Sequence, residues 1–407
     1  MTVAGAGTAA GAALPADPGS TVAGSATTLG VLGGGQLGRM FVHAAQAHGF
    51  RVVVLEPDAA SPAGAAADRH LRATYTDSRA LAELRALCMA MTTEFENVPA
   101  DVLRKLAMTH VVSPPAAAVE TCQHRVREKE CFSQAGVRCA PYARVESVAD
   151  AHDECAARLL PGILKTSSLG YDGKGQAVVT TLADLPAAWA ALGCAPCVLE
   201  QRLPLRHEIS VIVARGADGS LVHLPVQQNL HRDGILAVTQ VPAPDIEVAV
   251  AEQAVASSFR MADALQYVGV MCVEFFVLAD GSLVANEMAP RPHNSGHYSI
   301  DACDVSQFDL QLRALVGWPL VAPRQHSAAV MLNLLGDLWF SGGEGTASRA
   351  PDWASLLALP GVHLHLYGKA EPRRGRKMGH VTVTAPDVSA ARATALRVSV
   401  LLGLASF

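Results

Sequence analysis

The sequence predicts a mixed α/β and α+β protein, with a parallel-sheet domain first and a less regular arrangement of strands after it. Short apolar runs alternate with helical patterns over residues 28–120, which is typical of parallel strands joined by helices. From residue 162 onward, several strands follow one another with shorter helices between them. The 407 residues exceed what one hydrophobic core usually holds, so we expect several domains.

Composition excludes some classes of function. Hydrophobic residues make up 50% and charged residues 17%, which fits a folded globular protein. The net charge of −5 indicates neither a nucleic-acid surface nor a membrane surface as the main partner. No apolar run reaches the roughly 18 to 20 residues that a membrane-spanning helix needs. Of the nine cysteines, only Cys194 and Cys197 form a C-x-x-C pair, so we expect reduced thiols in a cytoplasmic protein.

The N-terminal stretch is rich in Ala, Gly, Ser and Thr and contains neither Lys nor Arg. A secretory signal needs a positively charged start and a transit peptide needs arginines, so neither fits. We expect residues 1–27 to form a disordered tail.

The first folded domain is predicted over residues 28–120. A buried strand at 28–33 leads into the glycine loop Gly33-x-Gly35-x-x-Gly38 and then into a helix. The further elements predicted are a strand at 51–57, a helix from Asp77 to Leu87, a strand at 89–94 and a helix at 99–106.

The glycine loop predicts an anion close to it, either a phosphate or a carboxylate, because bare backbone amides at the start of a helix attract negative charge. Glu56 ends the next strand at about the distance where a dinucleotide-binding fold places its ribose-binding acid. Taken alone, the loop therefore leaves an NAD-dependent oxidoreductase open as an alternative.

The rest of the chain is predicted to form a second domain over residues 121–322 and a C-terminal domain over residues 323–407. Residues 121–145 have a helical pattern at first and then a loop pattern. The further elements predicted are a long amphipathic helix at 245–265, strands at 270–278, 283–288, 362–367 and 380–384, and a last helix at 388–402.

The strands at 270–278 and 283–288 flank a short turn segment, which predicts a hairpin. In an ideal two-residue turn, Glu274 lies directly opposite Glu287, although a β-bulge would shift this register. Apolar neighbours place the two acids away from open solvent, where facing carboxylates repel each other unless a cation lies between them. Oxygen ligands without Cys or His favour Mg²⁺ shared with nucleotide phosphates, and Asn286 offers a neutral oxygen beside them.

A second glycine-rich segment, residues 169–176, follows the apolar strand that ends at Lys165. It lacks the spacing of a P-loop, but a loop with exposed amides can fold over nucleotide phosphates and exclude water. Lys165 would supply a point charge to those phosphates.

Taken in order, these segments resemble the ATP-grasp superfamily, and more closely the N5-carboxyaminoimidazole ribonucleotide synthetases. The resemblance covers about residues 28–385 and is most specific in the two last segments. The segments that carry it are Gly33-Gly-Gly-Gln-Leu-Gly-Arg-Met40, Thr93-Glu-Phe-Glu-Asn97, Gly170-Tyr-Asp-Gly-Lys-Gly-Gln176, Asn286-Glu-Met-Ala-Pro-Arg-Pro-His-Asn-Ser-Gly-His297 and Arg376-Lys-Met-Gly-His380.

The resemblance implies an ATP-grasp fold with an N-terminal Rossmann-like domain, a lid subdomain at about 140–203 and a small C-terminal domain. It implies ATP and Mg²⁺ as cofactors, with Glu274 and Glu287 as the metal ligands. The residues that it implies for the nucleotide are Arg125, Lys165, Gly170, Tyr171, Asp172, Gly173, Lys174, Gly175, Gln176, Glu200, Gln201, Arg202, Leu203, Glu208, His231, Asn286 and Glu287.

The other side of the site is implied to hold bicarbonate and 5-aminoimidazole ribonucleotide. Bicarbonate would attack the γ-phosphate to give carboxyphosphate and ADP, with Lys165 stabilising charge and Arg291 among the catalytic residues. Asp172 or His293 would take the proton of the amine, and the sequence does not choose between them. The residues implied for the substrates are Gly35, Gln36, Leu37, Glu94, Tyr171, Asp172, Arg291, His293, Asn294, Arg376 and Lys377.

The function implied is ATP- and bicarbonate-dependent carboxylation of 5-aminoimidazole ribonucleotide in de novo purine biosynthesis, by a homodimer. The alternatives are another ATP-grasp ligase of the formate-dependent glycinamide ribonucleotide transformylase type, the oxidoreductase, and a nucleotide sensor without turnover. The oxidoreductase leaves the facing carboxylates of Glu274 and Glu287 unexplained.

Overall fold

The computed structural model describes residues 27–168, 175–340 and 348–407. Residues 1–26 of the tail predicted over 1–27 lie outside these ranges, as does most of the second glycine-rich segment. In the described residues, no helix combines the length and apolarity needed to cross a bilayer.

The N-terminal unit is built around parallel strands, as the alternating pattern predicts. Its elements are β1 (Thr28–Leu32), α1 (Gln36–Ala47), β2 (Arg51–Leu55), α2 (Pro62–Ala66), β3 (Arg69–Leu71), α3 (Ser78–Leu87), β4 (Ala90–Thr93), α4 (Ala100–Ala107) and β5 (Val111–Ser113). The strand order is β3-β2-β1-β4-β5, so the loops after β1 and β4 emerge side by side at the carboxyl edge of the sheet. Asp77 caps α3 because its carboxylate accepts a hydrogen bond from the amide of Ala80.

A smaller antiparallel sheet follows. The elements are α5 (Ala116–Cys122), α6 (Arg125–Gln134), β6 (Tyr142–Val145), α7 (Glu154–Ala157), β7 (Gly162–Thr166), β8 (Gln176–Val179), α8 (Leu185–Ala191) and β9 (Cys197–Gln201). The strands lie in the order β6-β9-β7-β8. The loop predicted at the end of 121–145 is wrong at its last residues, because β6 pairs there with β9 across the sheet, a contact that the local sequence does not reveal.

The largest sheet contains the remaining strands. The elements are β10 (Leu205–Arg215), β11 (Leu221–His223), β12 (Gln227–Arg232), β13 (Ile235–Val241), α9 (Val248–Ala264), β14 (Gly269–Leu278), β15 (Leu283–Ala289), α10 (Ser299–Ala302), α11 (Gln307–Val316), β16 (Ala328–Leu335), α12 (Trp353–Leu357), β17 (Val362–Leu366), β18 (Lys377–Ala385) and α13 (Val388–Leu402). The strand order is β15-β14-β10-β12-β13-β16-β18-β17, with β11 beside β10. The C-terminal strands therefore extend the central sheet through the β13–β16 pair.

Apolar side chains join the units into one body. Phe41 of α1 belongs to the same buried cluster as Phe308 and Leu312 of α11. This packing sets the start of α1 beside the segment that follows β15, and it brings residues from all parts of the chain to one cleft.

Candidate functional site

The first glycine loop holds a carboxylate of the chain itself. Glu94, directly after β4, accepts hydrogen bonds from the amides of Gly35 at 2.7 Å and Gly38 at 3.1 Å. A Cβ at Gly35 would lie 2.9 Å from the Glu94 carboxylate, so the glycines are needed to admit this side chain. The prediction of a nearby carboxylate is confirmed, and the anion site that an NAD phosphate would need is already filled.

Glu56, the acid that favoured a dinucleotide, has a structural partner. Its carboxylate accepts a hydrogen bond from the hydroxyl of Tyr75 at 2.5 Å. A Cβ at Gly34 would lie 2.2 Å from the Glu56 Cγ. Glu56 therefore packs against the loop, and this region gives the oxidoreductase alternative no support.

Two contacts connect this loop region to the rest of the cleft through residues that the sequence did not assign. Glu96 forms an ion pair with Arg291, which lies just after β15. Burial by itself would raise the pKa of Glu96, but the Arg291 charge lowers it. Lys369 donates to the side chain of Gln36 at 2.9 Å. Glu96 lies in the Thr93–Asn97 motif, which was the only signal for it, and Lys369 had none.

Glu274 and Glu287 lie directly opposite each other on β14 and β15, as predicted. The predicted route to this register is wrong in its details. The turn is one residue longer than an ideal two-residue turn, since Val277 pairs with Leu283, and a bulge at Asn286 restores the register at the two acids.

The two facing carboxylates leave a negative charge without enough compensation. Burial raises the pKa of Glu274 to about 7, and repulsion from Glu287 adds to the effect. The buried Oδ1 of Asn286 has no hydrogen-bond partner among the described residues. Two carboxylates and a neutral oxygen are a ligand set that Mg²⁺ accepts, so the residues present fit this ion.

A third carboxylate lies behind the pair. Glu128 of α6 accepts a hydrogen bond from the amide of Met288 at 2.6 Å. Burial raises its pKa to about 8, with repulsion from Glu287 as the next cause. Arg125, at the start of α6, contacts Glu287 at 3.2 Å and supplies positive charge at this place. Arg125 was predicted for the nucleotide, whereas Glu128 was missed because its partner lies 160 residues away in the chain.

Lys165 lies on β7 and contacts the carboxylate of Glu200 on β9 at 3.0 Å. The other oxygen of Glu200 lies 3.2 Å from Lys129, which is 1% exposed and was not predicted. Burial alone would raise the pKa of Glu200, but the two lysine charges lower it. Two cations on one carboxylate leave net positive charge at this end of the cleft, where nucleotide phosphates would be attracted.

The predicted nucleotide residues on the lid side and the central sheet also converge. Glu208 and His231 form a short pair between β10 and β12. Burial alone would lower the pKa of His231, but its hydrogen bond to Glu208 and the charges of Glu274 and Glu287 raise it.

The predicted nucleotide residues Glu200 to Leu203 lie at the end of β9 and in its connection to β10. The amides of Gln201 and Arg202 donate to carbonyls of Pro141 and Pro161. The carbonyl of Leu203 accepts from Leu205. The side chain of Glu200 contacts Lys129 and Lys165 in the cleft.

His293 and Asn294 occupy the loop after β15. The Nε2 of His293 lies 3.2 Å from Glu274, and its Nδ1 lies 2.9 Å from the Ser295 hydroxyl. Burial and the charges of Arg291 and Lys377 hold the pKa of His293 well below its usual value, so its ring is neutral at pH 7. Both polar atoms of the buried Asn294 amide lack a partner among the described residues, which marks this side chain as available to a ligand.

Lys377 begins β18 and acts electrostatically on Glu96, Glu274 and His293, so it belongs to the same cleft. The backbone carbonyl of Lys377 accepts from Lys369 at 2.6 Å. The guanidinium of Arg376 donates to the carbonyl of Glu371 at 2.8 Å. The cleft thus has an acidic centre with basic groups at both ends.

The remaining predicted site residues belong to the two glycine-rich segments. Gly170, Tyr171, Asp172, Gly173 and Lys174 lie outside the described residues. Gly175 and Gln176 follow at the start of β8. Gly35 caps α1, while Gln36 and Leu37 open it beside Glu94.

Three family models match consecutive parts of the chain. Residues 26–123 match a ribonucleotide synthetase preATP-grasp domain, and residues 130–308 match an ATP-grasp domain. Residues 329–394 match a phosphoribosylaminoimidazole carboxylase C-terminal domain.

Relatives of known identity match over almost their whole length. The chain is 44% identical over 362 residues to the N5-carboxyaminoimidazole ribonucleotide synthase of Brucella melitensis, covering 88% of this chain and 97% of the relative. The Staphylococcus aureus N5-carboxyaminoimidazole synthetase complexed with ADP superposes with a TM-score of 0.83 at 36% identity, covering 92% of this chain and 97% of that one. The Aspergillus clavatus synthase, in complex with ADP and 5-aminoimidazole ribonucleotide, superposes with a TM-score of 0.83 at 31% identity, covering 93% and 98%.

Proposed function

The chain belongs to the N5-carboxyaminoimidazole ribonucleotide synthase family, and from this premise we propose how its cleft carries out the reaction. The protein is an ATP-dependent ligase that carboxylates 5-aminoimidazole ribonucleotide in purine biosynthesis. The finer proposal is that bicarbonate is the carboxyl source and that carboxyphosphate is the intermediate. The observation that carries it is the pair of facing carboxylates between two basic ends of one cleft.

Phosphoryl transfer takes place at the acidic centre of the cleft. An oxygen of bicarbonate attacks the γ-phosphorus of ATP, the bond to the β,γ-bridging oxygen breaks, and ADP leaves. Glu274 and Glu287, with Asn286 beside them, would hold Mg²⁺, which neutralises charge on the β- and γ-phosphates. Lys165 moves from Glu200 to the phosphates when ATP enters, and Lys129 keeps the Glu200 carboxylate compensated.

The second half of the reaction takes place at the end of the cleft that contains His293 and Asn294. Carboxyphosphate breaks its C–O bond to release carbon dioxide and phosphate inside the closed cleft. The exocyclic amine of the ribonucleotide then attacks carbon dioxide, forms the C–N bond and loses a proton. Asp172 or His293 accepts this proton, since the neutral ring of His293 keeps a nitrogen lone pair, and Asn294 positions the substrate.

The basic residues near the start of β18 bind the phosphate of the ribonucleotide. Lys377 provides the charge inside the cleft, and Lys369 supports it through Gln36 and the Lys377 carbonyl. Arg291 is held in place by Glu96 and borders the same space. Arg376 would have to turn from the Glu371 carbonyl to reach a phosphate.

We further propose a cytoplasmic homodimer. All nine cysteines are free thiols, which supports a reducing compartment. We place the contact between the two copies at α13, where Val400 and Leu401 are 78% and 51% exposed. Light scattering of the purified protein tests this, and a monomeric mass would reject it.

The direct test is ADP release from Mg-ATP with bicarbonate, with and without 5-aminoimidazole ribonucleotide. We expect release to depend on both bicarbonate and the ribonucleotide, and the carboxylated product to form in equal amount. Release that requires formate and a glycinamide ribonucleotide instead would assign the chain to the alternative ATP-grasp ligase. Binding of ATP without any release would overturn the catalytic assignment.

A further inference from the structure

A compact set of metal-ligand side chains lies away from the carboxylate hairpin. Asp301 of α10, His365 of β17 and His380 of β18 each offer a ligand atom, and these atoms all lie within 4.8 Å of one another. Among the described residues, this is the only such group of three His, Cys, Asp or Glu side chains. None of the three has a role in the proposed reaction.

The strand pairing brings the two histidines together. His365 lies directly opposite His380 across the β17–β18 pair, and their rings stack at 4.5 Å between centroids with 11° between planes. The Nε2 of His365 lies 2.9 Å from the Asp301 carboxylate. The α10 helix thus presents its acid to a pair of imidazoles on the sheet.

His380, the most buried residue of the set, has a ring nitrogen without a hydrogen-bond partner among the described residues. His380 is 0% exposed, and this nitrogen is its Nε2. Its Nδ1 lies 2.9 Å from the hydroxyl of Tyr367. In the tautomer whose Nδ1–H donates a hydrogen bond to Tyr367, Nε2 keeps its lone pair, and such a hydrogen bond is how a second group orients a metal-binding histidine.

We propose that Asp301, His365 and His380 form a binding site for a divalent ion of the zinc class. Two imidazoles and one carboxylate suit Zn²⁺, whereas Mg²⁺ prefers oxygen ligands alone, so this site selects a different ion from the Glu274–Glu287 pair. The two rings are nearly parallel, so both would have to tilt toward a common point to share one ion. His363 lies 3.7 Å from Asp301 and is the nearest candidate for a fourth ligand.

The position of the site gives the ion a structural consequence. The α10 helix follows the loop that carries Arg291, His293 and Asn294, while β18 begins at Lys377. An ion bound to both elements ties together two walls of the ribonucleotide pocket. We therefore expect Zn²⁺ to raise the melting temperature of the protein, because a ligand that binds only the folded state stabilises it.

The test is Zn²⁺ binding by the full chain after chelator treatment and dialysis, measured by calorimetry in the presence of excess Mg²⁺ and ADP. We expect one ion per chain. His365→Ala should weaken binding by more than about 100-fold, since even the loss of an outer partner costs 10- to 100-fold. The matched control is His326→Ala, which removes an exposed histidine outside the set and should leave binding unchanged.

Three further measurements make the result specific. Tyr367→Phe removes one hydroxyl and should weaken Zn²⁺ binding by about tenfold or more while the fold is kept. Glu287→Gln should leave Zn²⁺ binding intact, which separates this site from the predicted Mg²⁺ site. Co²⁺ should give a spectrum without a thiolate charge-transfer band. Equal binding by wild type and His365→Ala, or a thiolate band, would overturn the proposal.

Discussion

The glycine loop and the carboxylate hairpin both hold buried acids, but the surroundings of those acids differ in kind. Glu94 gives its two oxygens to the amides of Gly35 and Gly38, which oppose the rise in its pKa caused by burial. Glu274 instead faces Glu287, whose charge adds to the effect of burial. The charge of Glu94 is compensated by backbone amides of the chain, whereas the charges of Glu274 and Glu287 repel each other and favour binding of a cation. We call the glycine loop with Glu94 the filled site and the hairpin with Glu274 and Glu287 the open site. The two differ in whether the chain itself compensates the buried negative charge.

The largest expected effect comes from removing one charge of the open site. Glu287→Gln should lower kcat by about 100- to 1,000-fold, the usual cost of losing one electrostatic contact to a transition state. Its thermal stability should change little, because relief of the repulsion with Glu274 and Glu128 offsets the loss of the contact with Arg125. Steady-state ADP release and calorimetric melting measure the two quantities.

The control for this variant is Glu252→Gln, which removes one exposed acid from α9. It should match wild type in both kcat and stability. Full activity of Glu287→Gln at saturating Mg²⁺ would reject the hairpin as the metal site.

A smaller effect is expected at the basic end of the cleft. Lys377→Ala should raise the KM for 5-aminoimidazole ribonucleotide by about tenfold or more, since a charge-assisted contact to phosphate is lost. The KM for ATP should change much less, because Lys165 and Arg125 lie at the other end. Initial rates with each substrate varied in turn give both constants. A parallel rise in both would assign Lys377 to the cleft as a whole rather than to the ribonucleotide.

A substitution of Glu94 in the filled site should lower the free energy of unfolding. Glu94→Gln replaces one acceptor oxygen by a donor that faces a backbone amide, so we expect a loss of about 1–3 kcal/mol in the free energy of unfolding. Urea unfolding measures it, with Glu252→Gln, which changes an exposed acid of α9, as the control. A kcat loss as large as that of Glu287→Gln, with stability kept, would show that Glu94 acts on the substrate directly.

Much of the fold could be read from the sequence because it depends on local patterns. Strand–helix alternation predicted the parallel sheet, and Asp77 predicted the start of α3. The facing of Glu274 and Glu287 was also predicted, but two deviations cancelled, a longer turn and a bulge at Asn286. A register derived from an ideal turn would have failed if only one of them had occurred.

The residues that escaped prediction share a physical reason. Glu128, Lys129 and Lys369 gain their importance only from partners far along the chain, such as Met288, 160 residues from Glu128. A polar contact between residues far apart in the chain leaves no periodicity or spacing in the sequence. Such residues become visible only when the fold brings their charges together.

The smallest expected effect is on the pH dependence of stability. Burial and Glu287 raise the pKa of Glu274 from 4.5 to about 7, so between these values the folded protein holds a proton that the unfolded chain has released. The resulting stabilisation is complete below this range and is lost as the pH rises through it. From about pH 5 to 8, the free energy of unfolding should therefore fall more in wild type than in Glu287→Gln, by about 1 kcal/mol.

Urea unfolding at several pH values without Mg²⁺ measures this difference, and Glu252→Gln should follow the wild-type curve. Added Mg²⁺ should restore stability most at the alkaline end, because the ion binds the deprotonated pair and replaces the proton as the source of positive charge. Identical pH profiles for wild type and Glu287→Gln would mean that the two carboxylates do not interact. The hairpin would then be compensated within the chain, as the glycine loop is, and the contrast between the two regions would be lost.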